Sequence, residues 1–311
     1  RDGSASPQPQ PRSSTKARTR PRHLEIEAVR RKLPHWKKRG PAGAIARNLY
    51  LLFVYYNGIY SLARLRHRFH RSRAAIYLHH RVNDYSKDVL TVDLSTFTAQ
   101  LLAISRRYPF ASTSSLVESI RAGKPIRPTT VAIHFDDCYR DILINGAPIL
   151  EALRVPACAF LNSGFVDTDR SFEHDTAKNP FHYPKLRSSD LVEWVNRGFE
   201  AGSHTVNHVD LGKYVESSRF EIADCGPALE KILGRRVDFF SFPFGRVDNI
   251  TPAAIEAIRE AGYVALFAAH GGFVGAATDP YDIPRLGASY LSPPVYCLLE
   301  IEGLAPHQLF N

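Results

Sequence analysis

Short apolar runs alternate along most of the chain with longer stretches in which apolar residues return every three or four positions. Residues 74–79, 129–135, 156–161, 237–242 and 263–268 are compact runs rich in β-branched and aromatic residues, the pattern of strands buried on both faces. Residues 94–107, 114–122, 142–153, 188–196, 216–233 and 251–261 carry the helical period instead. Ser114 and Thr251 are placed to cap two of these helices, and Pro252 suits a first helical position. Residues 283–288 read as a last short strand. Regular alternation of strand and helix predicts parallel strands wrapped by helices. Residues 163–187 interrupt it, an aperiodic excursion of the kind that builds a substrate rim, with His174 and His182 expected at surface or rim positions.

The first 73 residues follow a different pattern. Residues 1–43 are rich in Pro, Ser, Arg and Lys, which predicts a flexible basic arm. Residues 44–73 turn apolar: Asn48 to Ala63 contains no charged residue, and five arginines between Arg64 and Arg73 follow without an acid. Leu49, Leu52, Phe53, Tyr56, Tyr60 and Ala63 share one helical face, although Asn57 and Gly58 interrupt the run. It is short for a membrane span, so we expect an amphipathic helix lying in a membrane interface, with packing on the following domain as the next reading. Residues 74–311 then form the main domain. Of the net charge of +9, residues 1–73 contribute +15, from 18 Lys and Arg against 3 acids, and the rest of the chain −6. The basic character thus belongs to the extension, and with no recognition fold beside it an anionic membrane surface is the expected partner rather than nucleic acid. At 311 residues and 44% hydrophobic the chain can bury a sizeable core. Its four cysteines show no metal-binding or disulfide spacing.

Candidate chemistry sits at the ends of predicted strands. The run V-A-I-H-F-D-D-C places Asp136 and Asp137 at the carboxyl end of a core strand, the edge where α/β folds collect ligands. Two adjacent carboxylates repel, so one is readily held by a cation while the other remains free to take a proton; a solvated pair capping a helix is the alternative. His204 and His208, four apart after another apolar approach, can reach one metal ion from one side of a turn. Two histidines and one carboxylate leave coordination positions open for water and substrate. F-S-F-P-F-G at 240–245 ends a third strand in a turn set by Pro243 and Gly245.

These three motifs, in this order, resemble the polysaccharide deacetylases of carbohydrate esterase family 4, whose pattern is a strand ending T-F-D-D-G, then H-S/T-x-x-H, then a P-Y-G turn. The resemblance covers roughly residues 74–290. Y-L-H-H-R-V at 77–82 looks like the strand end of the branch that includes poly-N-acetylglucosamine deacetylases. The resemblance implies a distorted, incomplete (β/α) barrel of about seven parallel strands. It implies metal-dependent removal of N-acetyl groups from an amino-sugar polysaccharide or oligosaccharide of the cell envelope. The protein would sit peripheral to the inner membrane, with a cytoplasmic site as the alternative that the basic flank suggests. Asp137, His204 and His208 would bind the metal, Asp136 act as general base and His80 as general acid, with the Phe244 backbone N–H adding to the oxyanion site. Zinc is the first choice of metal, with nickel, cobalt or manganese also compatible.

His79 faces the opposite side from His80 in a strand, and His134 shares a face with Asp136 as a second-layer residue. Two positions depart from the pattern. The family's glycine after the acid pair is Cys138, which would bring a thiol near the metal, and the arginine that often precedes the turn is Ser241, leaving Arg140, Arg246 and Arg285 as candidates to replace it. A catalytically silent fold that binds glycan or holds an export complex, and a hydrolase of another non-peptide amide, are the alternative functions.

Overall fold

The structure, a computed structural model, describes residues 41–70, 73–176, 182–213, 215–289 and 292–305. The described strands are β1 (Ala74–His79), β2 (Arg81–Val82), β3 (Thr91–Val92), β4 (Thr130–Phe135), β5 (Ala157–Leu161), β6 (Glu200–Ser203), β7 (Phe239–Ser241), β8 (Ala265–Phe267) and β9 (Leu286–Gly287). Seven form one sheet in the order β8-β7-β6-β5-β4-β1-β9, every neighbouring pair parallel, while β2 and β3 pair separately.

From β1 to β8 each new strand of this sheet is added on the same side, so the winding never reverses and the sheet curls. His134 of β4 and Phe267 of β8 bring their rings within 4.8 Å. Four strand spacings would separate them by about 19 Å in a flat sheet. The chain around β9 meets both margins of the curl: Ile283 bridges Phe267 of β8, and Leu286 and Gly287 pair with Tyr77 and Leu78 of β1. The result is the incomplete barrel expected from the sequence. Inside lie Ala74, Ile76, Ala132, Cys158, Phe160 and Phe267; Ala75, Tyr77, Ile133, Phe135 and Leu161 form the larger core on the other face. Gly202 leaves room for this interior, since a Cβ there would lie 2.5 Å from the Phe160 ring.

Local signals account for most helices and for three corrections. Thr251 caps Pro252–Glu260 as expected, accepting from Ala254 N–H, but the helix Thr113–Arg121 is capped by Ser112 rather than Ser114, whose hydroxyl bonds Glu200 instead. The single helix expected over 216–233 is two, Val215–Ala223 and Cys225–Leu233, because Pro227 has no N–H to donate to Ala223. Pro294–Ile301 is a further helix, buried along most of its length and outside the elements expected from the apolar pattern.

The N-terminal apolar run also divides, into Pro41–Tyr56 and Ile59–His70, with Gly58 at φ +79° between them. Leu51, Val54 and Tyr60 are buried against the domain, so Tyr60 does not belong to an exposed face with Leu49 and Phe53. The Tyr60 hydroxyl meets that of Tyr108 at 3.0 Å, and Tyr108 donates to buried Glu302 at 2.6 Å. No described helix is long and apolar enough to cross a membrane.

Candidate active site

Strand alternation selects what reaches the open end of the curl. The inward series Ala74, Ile76 and Leu78 of β1 continues to His80, and Ala132 and His134 of β4 continue to Asp136. Gly202 of β6 leads in the same way to His204, and Phe239 of β7 leads to Ser241. Asp137, His204 and His208 are brought together, one ligand atom from each lying within 4.8 Å of the others. His208 Nε2 is 3.1 Å and His204 Nε2 3.4 Å from Asp137 Oδ1. His80 Nε2 lies 3.9 Å from Asp137 Oδ2. His79 points away, its ring against Phe97 and Phe135, and His134 lies in the interior with its Nε2 3.1 Å from the Thr113 hydroxyl.

The backbone that presents these groups is strained in one place after another. Asp137, Cys138, Thr205, His208 and Phe244 all have positive φ, five of the seven such non-glycine residues described. Left-handed backbone carries a cost for any residue with a Cβ and persists where the surroundings hold it, commonly at functional sites. Cys138, at φ +57°, occupies a conformation that glycine adopts freely, and its side chain packs in the apolar core rather than among the metal-type donors. Burial pushes its thiol up to about 12. The His204–His208 segment is a tight loop, closed by the His208 N–H donating to Thr205 Oγ1 at 2.9 Å. At the third motif Gly245 is required, because a Cβ would lie 2.5 Å from the Ala269 nitrogen. The adjoining Phe244 is half-exposed, with its ring 5.0 Å from that of His208.

Asp136 is held by three donors. Arg285 Nη1 and Nη2 donate to its two oxygens at 2.9 and 2.7 Å, and the Ser241 hydroxyl donates to Oδ2 at 2.9 Å. Arg285 also donates to Ser241 Oγ at 2.7 Å and to the Ala268 carbonyl at 2.9 Å. Of the three candidate arginines Arg285 is the one that reaches Asp136, whereas Arg140 pairs with Asp190 and Arg246 is exposed. Burial raises the Asp136 pKa, but Arg285 and then His204 outweigh it and hold the carboxyl at about 2. Burial lowers His80 to about 4 against the opposing pull of Asp137 and Asp136, so its imidazole is neutral at pH 7.

The donor set fits a divalent cation. His204 Nδ1 donates to the Ser241 carbonyl at 2.8 Å, which fixes the tautomer and leaves the Nε2 lone pair facing Asp137. Asp137 Oδ1 is buried and has no hydrogen bond of good geometry, although two imidazole nitrogens surround it. Buried acceptors grouped in this way are relieved by a shared cation.

His174 was expected at the surface or rim, and the structure brings it to the site: its Nε2 is 3.5 Å from Asp137 Oδ2 and its ring stacks on Phe172. The neighbouring Asp175 is buried between Arg81, at 2.5 Å, and the Tyr139 hydroxyl, at 2.9 and 3.0 Å. No local pattern marks either residue, since they belong to the aperiodic excursion. His182 is exposed.

The model of the polysaccharide deacetylase family matches residues 123–266, a span that contains the acid pair, the histidine pair and the turn but neither His80 nor Arg285. No curated protein matches the chain. Among solved structures, the deacetylase PplD of Streptococcus pyogenes aligns with a TM-score of 0.63 at 20% identity, over 74% of this chain and 98% of that one. IcaB from Ammonifex degensii gives 0.63 at 18% identity, over 75% and 97%. The BpsB deacetylase domain from Bordetella bronchiseptica gives 0.56 at 14% identity, over 70% and 96%. At these identities the alignments establish a shared fold.

Proposed function

We propose that this chain, whose residues 123–266 match the polysaccharide deacetylase family model, is a hydrolase of non-peptide carbon–nitrogen bonds that removes N-acetyl groups from an amino-sugar polysaccharide or oligosaccharide. The observation that carries this reading is the convergence of Asp137, His204 and His208 beside an ionised Asp136 at one end of the curled sheet.

In this reading Asp137, His204 and His208 hold one divalent metal, with zinc first and nickel, cobalt or manganese also suited to the donors. Such an ion, when bound, polarises the amide carbonyl and makes water acidic enough to be used at neutral pH. Asp136 is the general base. Its carboxylate is ionised and oriented by Arg285 and Ser241, and it accepts the proton that water loses in attacking the acetyl carbon. His80 is the general acid. It is neutral in the free protein, so it takes a proton from solvent as negative charge builds on the reacting carbonyl, then delivers it to the sugar nitrogen as the C–N bond breaks, while Asp136 returns the proton of the attacking water to solvent. The Phe244 N–H, in the turn formed with Pro243 and Gly245, contributes to the oxyanion site. The products are acetate and a free amino sugar. This activity belongs at the cell envelope, beside an anionic membrane surface.

The test is metal content per chain after purification without chelator, together with acetate release from N-acetylglucosamine oligosaccharides. The wild type should carry about one transition metal, His204→Ala and His208→Ala should lose it, and Asp136→Asn should keep it while releasing no acetate. A protein with no bound metal and no acetate release would leave glycan binding or scaffolding as the better reading.

A further inference from the structure

We propose that the exposed apolar stripes of the helices Pro41–Tyr56 and Ile59–His70 dock the protein on an anionic lipid bilayer. This deepens the envelope setting given above, and it rests on that setting only for where the protein works. On the first helix Ile45, Leu49, Leu52, Phe53 and Tyr56 are 43 to 75% exposed, and their spacing places them along one side. On the second, Ile59, Leu62, Leu65 and Phe69 are 41 to 69% exposed at the same period. Elsewhere the exposed large apolar residues described are few and scattered: Tyr85, Val89, Ile144, Val192, Phe220 and Phe244. These nine side chains on two consecutive helices, with Tyr50 also 49% exposed on the first, make a surface that water does not favour.

Packing on the domain does not explain these stripes, because other residues already do that work. Leu51, Val54 and Tyr60 are buried beneath them, and His67 Nδ1 meets Glu302 at 2.5 Å. The exposed sides are therefore presented outward by a segment fixed from below.

Charge identifies the occupant. Residues 41–73 contain six arginines and no Asp or Glu, and Arg66 and Arg68 are exposed beside the second stripe. The whole of residues 1–73 carries +15 against −6 for the remainder. A second copy seated on this face would set arginine against arginine, whereas anionic headgroups neutralise them while the acyl boundary takes the apolar side chains. The helices have 16 and 12 residues, short of the roughly 20 needed to span, so they would lie in the plane of the interface.

The test is co-sedimentation of the full chain with vesicles of phosphatidylcholine alone and of equal parts phosphatidylcholine and phosphatidylglycerol. We expect binding to the mixed vesicles at least about tenfold stronger than to the neutral ones, weakening as salt is raised. The double variant Leu49→Gln/Phe53→Gln should lose binding to both, and Arg66→Gln/Arg68→Gln should bind the anionic vesicles about tenfold more weakly than wild type while binding the neutral ones as before. Cleavage of a soluble acetylated oligosaccharide should be unchanged in both variants, which separates this result from failure of the catalytic reading. No binding, equal binding to the two vesicle types, or full binding by Leu49→Gln/Phe53→Gln would overturn the proposal. A wild-type dimer made monomeric by that variant, with no vesicle binding, would assign the face to a second copy instead.

Discussion

Arg285 grips both oxygens of Asp136, at 2.9 and 2.7 Å, from 149 residues further along the chain. A buried carboxyl left to itself would resist ionisation, and this guanidinium reverses the sign. With a folded pKa of about 2, below its unfolded value, Asp136 stabilises the fold above about pH 4 and loses that contribution as pH falls toward 2. In Arg285→Met the largest opposition to burial is gone and only the weaker pull of His204 and His80 remains, so the acid limb of the pH–rate profile should move up by at least about one unit. Unfolding free energy in urea should fall by about 3–5 kcal/mol. An acid limb that stays in place would mean that Arg285 does not govern the base.

Metal should stabilise the fold through the same three donors that would hold it. With free zinc at about 100 times its dissociation constant, the gain is about 2.7 kcal/mol, a rise of several degrees in Tm for a domain of this size. Scanning calorimetry should show the rise in the wild type, its reversal by chelator and its absence in His208→Ala. An equal rise in His208→Ala would remove that residue from the ligand set.

Cys138 offers a test of local strain. Cys138→Gly relaxes the backbone at φ +57° but gives up buried contacts, so urea denaturation should place it within about 1 kcal/mol of wild type with metal content intact. Cys138→Val puts a β-branched residue into the same backbone and should cost about 2 kcal/mol or more. The thiol, pushed up to about 12 by burial, should react with a thiol reagent at pH 8 only as fast as the protein opens. Rapid labelling of Cys138 in the folded protein would contradict this placement.

His79 should register in acid stability. Burial, with a smaller push from His80, lowers its pKa to about 3. The unfolded chain therefore binds a proton that the folded chain refuses between about pH 6.5 and 3, and stability falls as pH drops through that window. His79→Leu should lose less stability than wild type between pH 7 and pH 4, by up to about 3 kcal/mol. Parallel losses in the two proteins would show that His79 titrates normally.

What was legible in the sequence is what neighbouring residues decide. The run into Asp136 and Asp137 declared a strand and its end, the spacing of His204 and His208 placed two imidazoles on one loop, and Pro243 with Gly245 marked a turn. The helix over 216–233 failed by one residue's chemistry, Pro227, and the cap at Ser112 rather than Ser114 by a two-residue displacement. Along the N-terminal helices the apolar pattern was plain, but which apolar residues face the domain was not. Periodicity fixes a stripe and leaves open which neighbour takes it, and Tyr60 went inward to Tyr108.

By itself, then, the sequence determined the alternation of strand and helix, the parallel sheet and the local placement of the acid and histidine pairs, because each follows from side-chain period and turn chemistry over a few residues. Only the tertiary structure decided that Arg285, and not Arg140 or Arg246, reaches Asp136, and that His174 comes to Asp137. Both depend on closure over long stretches of chain. Residues 283–288 must meet both margins of the curl, and the excursion must be pinned through Asp175 by Arg81 and Tyr139. A sequence specifies such contacts through the packing energy of the whole fold, which no local pattern displays.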